Sequence, residues 1–396
     1  MRIAYFLTHP IQYQSPLIRA IAVTGHDITV VYASTQGVQG YHDQGFGVQI
    51  TWDVPLLEGY KNESLGMENV KGSFFAQLRK YRSSIRQWLE THPVDVVWVH
   101  GWGHPFNLAA LLEARRAKPG VRVLLRGEAH LDCLRGKGLR KLVHKWLLMR
   151  LFRGVDRFLA VGTANREFYL AYGVPAEKIS LMPYVVDNDF FRKHFEGSRE
   201  ATAALRAGLA LEPGRPVVLY AGKLINIKSV DTIIRALHLA ARSLQPGGRP
   251  YLVIVGDGEL RTSLEALAKE FLPGDVRFVG FQPQSALPAW YALADVFVLP
   301  STFEPWGLVV NEAMNAGKPI IASDKVGAHG DLIVPGVNGG VFRAGVAEDL
   351  ARVILPYLQD PEKRREAGFA SLQRIAQWGI PEAVTGLGKA LTQLSF

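Results

Sequence analysis

One cysteine, Cys133, stands in 396 residues. No intrachain disulfide can form, so the fold must hold without covalent staples, and a reducing compartment fits that usage. No uninterrupted apolar stretch approaches the roughly 20 residues of a membrane-spanning helix. The opening MRIAYFLTHPIQYQ has one arginine and a short apolar run that Thr8-His9-Pro10 interrupts, which is not the build of a secretory signal. These absences predict a soluble, cytoplasmic protein. Two phosphate-binding signatures are lacking as well. There is no G-x-x-x-x-G-K-[ST] loop, which argues against an NTPase. Val255-Gly256-Asp257-Gly258-Glu259-Leu260 falls short of the full G-x-G-x-x-G fingerprint and reads as a tight strand-to-helix turn.

Acidic residues are scarce in one half only. Residues 1–187 hold 23 Lys/Arg against 15 Asp/Glu, whereas residues 188–396 hold 22 against 21, so the first half carries nearly all of the net charge of +9. A basic half suits an anionic membrane, a phosphorylated acceptor or nucleic acid, or it simply keeps the surface soluble. Nucleic acid fits least, because no aromatic residues interleave with the cations.

With 48% hydrophobic and 20% charged residues, the chain is long enough for two or three cores at about 150 residues per domain. Apolar runs at Ile3–Thr8, Ile28–Ala33, Val96–Val99, Val121–Leu125 and Phe158–Val161 read as strands. Helical patterns lie at Pro16–Ala22, Gln77–Thr91, Pro105–Ala117 and Leu139–Arg150. After a polar stretch at Lys193–Pro216, taken as a linker, the rhythm restarts at Val217–Tyr220, Leu252–Val255, Val276–Val279, Val296–Leu299 and Pro319–Ala322. Pro381–Leu394 closes the chain as an amphipathic helix. Continuous apolar strands alternating with helices predict an α/β fold of two doubly wound, Rossmann-like domains facing a central cleft. The expected bounds are 1–190 for an acceptor-side domain, 191–378 for a donor domain, and 379–396 for a last helix that could cross back to the first domain. Ligands of such sheets bind beyond the carboxyl ends of the strands.

In Leu219-Tyr220-Ala221-Gly222-Lys223-Leu224-Ile225-Asn226-Ile227-Lys228, two lysines leave a strand end and flank the start of a helix. Two ammonium groups at a helix N-terminus suit a diphosphate, although strand-end lysines are also ordinary surface residues. In Pro300-Ser301-Thr302-Phe303-Glu304-Pro305-Trp306-Gly307-Leu308-Val309-Val310-Asn311-Glu312, a carboxylate in the loop precedes another inside a helix by eight residues, with Gly307 between them. Carboxylates accept hydrogen bonds from sugar hydroxyls, and a glycine lets a ligand approach the backbone. The plain alternative is a helix with one cap residue and one solvated glutamate.

Glu304 and Glu312 match the E-x7-E signature of retaining GT-B glycosyltransferases, and the chain resembles glycosyltransferase family 4. The resemblance extends over Ala221–Lys228, Gly256–Gly258, Val276–Gln282, Asp295–Ser301, Ile320–Asp324 and Gly336–Phe342. It is looser at Tyr172-Gly173-Val174-Pro175, Lys178-Ile179 and Val186-Asp187 through Phe191. It implies a nucleotide diphosphate sugar as donor, a hydroxyl acceptor, no cofactor and no metal. By the same resemblance Lys223 and Lys228 hold the diphosphate, with Lys223 standing where the family often has Arg. Glu312 takes the ribose, Phe281-Gln282 face the base, and Glu304 with the amides of Gly307, Leu308 and Val309 holds the sugar. Glu304, Lys228 and His130 are the expected catalytic residues. Front-face attack without a protein nucleophile is the implied route to retention.

The sequence departs from the family in two places. Thr8-His9-Pro10-Ile11-Gln12-Tyr13-Gln14 replaces the glycine-rich loop often found after the first strand, so His9, Gln12 and Gln14 are expected to shape an acceptor site. Arg126-Gly127-Glu128-Ala129-His130 stands where the family usually has its mid-domain His. His130 as substitute, Glu128 as substrate contact, and His100 from the preceding strand end remain open. Two metal-like patterns are set aside. Asp187-Asn188-Asp189 falls in the interdomain segment and reads as a surface turn, and the glycines in His100-Gly101-Trp102-Gly103-His104 disfavour a helical zinc pair. Lys137–Arg153 sets Leu139, Leu142, Val143, Trp146 and Leu147 against Lys137, Arg140, Lys141, His144 and Lys145. This suits either a helix packed on the sheet or peripheral contact with anionic lipid. The rival functions are a non-catalytic nucleotide-sugar-binding protein and a same-fold epimerase or phosphorylase.

Overall fold

A computed structural model of the chain describes residues 1–38, 40–43, 45–68, 70–117, 119–133, 139–245 and 248–394. The chain divides into two compact units. The first comprises Met1–Tyr41, Val54–Val185 and Ile380–Phe396, and the second His42–Asp53 and Val186–Gly379. Residues 42–53, expected in the first domain, therefore belong to the second.

The strands of the first half are β1 (Arg2–Leu7), β2 (Asp27–Tyr32), β3 (Tyr41–Asp43), β4 (Val48–Ile50), β5 (Lys61–Ser64), β6 (Val96–His100), β7 (Arg122–Gly127), β8 (Arg157–Ala160) and β9 (Ile179–Leu181). Those of the second are β10 (Val217–Ala221), β11 (Tyr251–Val255), β12 (Val276–Gly280), β13 (Val296–Leu299), β14 (Ile320–Ser323) and β15 (Gly339–Phe342). The first unit holds a parallel sheet in the order β5-β2-β1-β6-β7-β8-β9, and the second holds one in the order β12-β11-β10-β13-β14-β15. Central strands such as VVLYA and YLVIV are buried throughout, as sheets covered on both faces require. Chain order reverses between β1 and β6 in one sheet and between β10 and β13 in the other. Such reversals are where ligands bind in doubly wound sheets.

The sequence reading missed β3 and β4, and also β5, β9 and β15 at the sheet edges. The last three are short edge strands, and β5 is the polar string KNES, which carries no apolar signature. Lys193–Pro216 is not a linker. It carries the helix Arg199–Gly208 and the end of Asn188–Glu196, whose N-cap Asp187 accepts from the Phe190 amide at 2.9 Å. The Asp187-Asn188-Asp189 triplet is therefore a helix start rather than a surface turn. Asn188 is turned inward, accepting from Asn315 Nδ2 at 2.8 Å. The helix Ile380–Thr392 belongs to the first unit and packs on β8 and β9. A Cβ on its Gly386 would lie 2.1 Å from the Leu181 carbonyl oxygen, so this helix can approach β9 only with glycine there.

Of the basic segment, Lys137 and the side chains of Leu139, Arg140 and Lys141 lie outside the described residues. The helix Leu139–Phe152 corrects the packing alternative at four of the named positions. Leu148 and Phe152 are buried, but Leu142, Val143, Trp146 and Leu147 are exposed.

Candidate functional site

In the second unit, β10 and β13 deliver the two segments singled out in the sequence. β10 ends at Ala221, and the chain then runs through Lys223 to a short turn at Asn226–Lys228 before the helix Val230–Ala240. β13 ends at Leu299, and its loop reaches the helix Leu308–Asn315. These loops meet. The Lys228 ammonium donates to Glu304 Oε2, and the Ser301 hydroxyl lies 3.4 Å from the same oxygen. The Glu304 backbone is fixed in turn: its amide donates to the Lys325 carbonyl at 3.1 Å, and its carbonyl accepts from the Gly327 amide at 2.9 Å. A carboxylate held this way has little orientation left to choose.

Gly307 caps the helix at φ 96°, in the left-handed region, and a Cβ there would meet the Leu299 side chain at 2.9 Å. Glycine allows both the turn and the close packing. The helix start thus presents the amides of Leu308 and Val309 beside Glu304. Glu312, expected either to bind ligand or to be solvated, is neither exposed nor open. It is fully buried, and its Oε2 accepts from the Tyr291 hydroxyl at 2.5 Å.

Lys223 has a partner that the sequence did not suggest. Its ammonium contacts Asp43 Oδ1 at 2.8 Å and Oδ2 at 3.0 Å and lies 5.0 Å from the Phe46 ring centroid. Burial acts to raise the Asp43 carboxyl, but hydrogen bonds from Lys223 and from the Phe46 and Gly45 amides outweigh it and hold the group below the usual carboxylate value. Beneath this loop, Tyr220 donates to the Lys223 carbonyl at 2.8 Å. Burial pushes the Tyr220 phenol well up, with the Glu304 charge adding. Phe281 packs edge-on against Phe46 with centroids 5.2 Å apart. Gln282 donates to the Val279 carbonyl at 3.1 Å and lines a cavity of about 460 Å³ with Leu205, Ser285 and Trp290. Neither glutamate of the E-x7-E pair nor either lysine lines that cavity.

In the first unit the carboxyl ends of β1, β6 and β7 come together in one hydrogen-bonded chain. Gln14 Oε1 lies 3.3 Å from the Tyr5 hydroxyl. That hydroxyl lies 3.2 Å from His100 Nδ1, and His100 Nε2 lies 3.1 Å from Glu128 Oε1. Tyr5 has one proton to give. If it donates to Gln14, its oxygen is left to accept from His100 Nδ1. If it donates to His100, the Gln14 amide turns its NH₂ toward Tyr5. Burial acts to raise the Glu128 carboxyl, but hydrogen bonding and charge from His100, joined by Tyr184 and Arg126, leave it below its ordinary value. Arg126 is fully buried, donates to the Pro183 carbonyl at 2.8 Å and lies 5.2 Å from the Tyr184 ring centroid. Glu128, Gly101, Trp102, Cys133, His144 and Leu148 line a cavity of about 350 Å³ at the ends of β6 and β7.

His100 and Glu128, carried from the sequence as alternatives, thus form one pair. Gln14 joins their network from a buried position, Gln12 is buried, and His9 is exposed with Nδ1 2.9 Å from the Thr8 hydroxyl. His130 is buried under the turn at Leu131–Cys133, where its amide donates to Cys133 Sγ at 3.3 Å and its Nδ1 lies 4.0 Å from Asp132. His104 caps a helix instead of pairing with His100, its Nδ1 accepting from the Phe106 amide at 3.2 Å. Tyr5, stacked at 3.7 Å on Trp98 inside a buried strand, reads in sequence as a core aromatic, and no local signal sets it apart.

Residues 202–373 match the family model described as glycosyl transferases group 1, and residues 10–184 match the glycosyl transferase 4-like domain. The alpha-D-kanosaminyltransferase of Streptomyces kanamyceticus is 33% identical over 48% of this chain and 48% of its own length. The GDP-mannose-dependent alpha-(1-6)-phosphatidylinositol monomannoside mannosyltransferase of Mycobacterium tuberculosis is 29% identical over 74% of each chain. The chain spans about half the length of the kanosaminyltransferase and of the D-inositol 3-phosphate glycosyltransferase of Nocardia farcinica. Among solved structures, Anabaena HepE in complex with UDP superposes over 100% of both chains with a TM-score of 0.75 at 18% identity. WaaG, a glycosyltransferase involved in lipopolysaccharide biosynthesis, does so over 99% of this chain and 100% of its own with a TM-score of 0.70 at 18% identity. The fold is GT-B.

Proposed function

We propose that this chain, which belongs to the glycosyltransferases built from a 4-like domain followed by a group 1 domain, moves a sugar from a nucleotide diphosphate sugar to a hydroxyl acceptor with retention of configuration. The observation that carries the reading is the Lys228–Glu304 pair at the N-terminus of the helix Leu308–Asn315. It sets an ammonium, a fixed carboxylate and helix amides at the β10/β13 switch point, together with Glu312 from the same helix.

Each group has a task. Lys223 and Lys228 take the diphosphate and offset its growing charge, so the reaction is assigned no metal. Glu304, with the amides of Gly307, Leu308 and Val309, holds the sugar hydroxyls. Glu312 takes the ribose, and Phe281 with Gln282 border the base. The acceptor oxygen bonds to the anomeric carbon as the bond from that carbon to the β-phosphate oxygen breaks on the same face. The acceptor proton leaves on the departing diphosphate, so no protein nucleophile is required. Catalysis is then positioning and charge stabilisation. The His100–Glu128 pair, bordering the 350 Å³ cavity of the first unit, orients the acceptor hydroxyl.

HepE was solved with UDP and with UDP-glucose, and the mycobacterial relative is named for GDP-mannose. UDP- and GDP-sugars are therefore the first donors to try. Release of nucleoside diphosphate from one of them, with transfer of the sugar to an added acceptor, supports the assignment. Tight nucleotide binding with neither hydrolysis nor transfer for any donor would leave a binding protein instead.

A further inference from the structure

The helix Leu139–Phe152 buries one side through Leu148 and Phe152 and turns a second apolar face away from the core. Relative exposures are 64% for Leu142, 49% for Val143, 60% for Trp146 and 52% for Leu147. At 100° per residue these four occupy one side of the helix, opposite Leu148 and Phe152. A covering helix of a doubly wound sheet ordinarily shows charge on that side. Four large apolar side chains gathered there, one of them tryptophan, mark a surface made for contact.

The charge pattern identifies the partner. Residues 135–153 contain seven Lys/Arg, namely Arg135, Lys137, Arg140, Lys141, Lys145, Arg150 and Arg153, and no Asp or Glu. Arg150 lies 6.0 Å from the Trp146 ring centroid, so cation and apolar face are contiguous. A second copy of this chain would set like charges against one another across the contact. An apolar strip on a segment that carries cations and no carboxylate is instead complementary to an anionic lipid surface, into which tryptophan and leucine sink while lysine and arginine meet the headgroups. Among the described residues no helix is long and apolar enough to cross a membrane, so the contact lies on the surface.

We propose that the helix Leu139–Phe152 docks the protein on anionic membrane through Leu142, Val143, Trp146 and Leu147. His144 and Leu148 on this helix line the 350 Å³ cavity, so docking would hold that cavity about one helix diameter from the bilayer surface. The proposal does not depend on which sugar is transferred, or on transfer at all.

The test is co-sedimentation of the full chain with phosphatidylcholine vesicles, with and without phosphatidylglycerol, at low and high salt. Binding is expected to phosphatidylglycerol vesicles, much less to phosphatidylcholine alone, and to weaken with salt. Trp146→Glu should lower the partition coefficient at least ten-fold, and Lys145→Glu about five-fold per unit of charge lost. Nucleotide affinity serves as the folding control for both. Leu142→Glu, at the most exposed of these positions, repeats the apolar test should Trp146→Glu fail to fold. No enrichment on anionic vesicles, or enrichment indifferent to these variants, overturns the proposal. So does a concentration-dependent dimer in sedimentation velocity that Leu147→Glu dissolves, which would make the face an interface between copies.

Discussion

Lys223 Nζ meets both carboxylate oxygens of Asp43, at 2.8 and 3.0 Å, across 180 residues of chain. The lysine assigned to the donor diphosphate is therefore already neutralised by an internal anion. A diphosphate must displace Asp43 or share the lysine with it. Asp43→Asn should accordingly tighten nucleoside diphosphate binding several-fold and leave nucleoside binding unchanged. Lys223→Ala and Lys228→Ala should each cost roughly 1–3 kcal/mol of diphosphate affinity, the usual loss for a charge-assisted contact. Calorimetric titration of nucleoside and nucleoside diphosphate measures both, and equal losses for the two ligands would exclude the diphosphate seat.

The His100–Glu128 pair belongs to the acceptor side in this account. Glu128→Gln and His100→Phe should lower transfer by about 10²-fold, the scale of a lost positioned acid–base or orienting group. They should leave the nucleoside diphosphate dissociation constant within error of the parent. Slow donor hydrolysis should persist in both. A matching loss of donor affinity would place the pair elsewhere in the reaction.

Lys318 supplies a pH signature. Burial lowers its ammonium from the ordinary value to about 8, only partly opposed by Asp295. Between pH 8 and pH 10.5 the unfolded chain keeps this proton and the folded chain does not, so stability rises with pH across that window. Lys318→Met removes the group, so parent stability relative to Lys318→Met should climb by about 2–3 kcal/mol over it. Urea unfolding at several pH values tests this, and a constant difference between the two proteins would contradict it.

What was legible in the sequence follows the range of the interactions. The helix Pro105–Ala117 has the bounds its apolar period suggests, and the buried strands VVLYA and YLVIV declare themselves by composition. The loop-to-helix turn at Gly307 is local, so glycine and the flanking apolar run suffice to find it. The Asp43–Lys223 contact and the Gln14–Tyr5–His100–Glu128 chain join segments far apart in sequence, and no spacing encodes them. Lys193–Pro216 was misread because the exposed helix Arg199–Gly208 buries too little to show a core face. The helix Leu139–Phe152 was ambiguous because a face that docks outward and a face that packs inward use the same residues at the same period.

The central claim, that Glu304 and Lys228 hold the reacting end of a sugar nucleotide, is tested most directly by Glu304→Ala beside Glu312→Ala. The measurement pairs calorimetric nucleoside diphosphate binding with transfer from the active donor. Glu304→Ala should bind nucleotide like the parent and lose transfer by about 10²–10³-fold, as removal of a transition-state contact does. Glu312→Ala should bind nucleotide markedly more weakly. Parental binding and turnover in both variants would contradict the account.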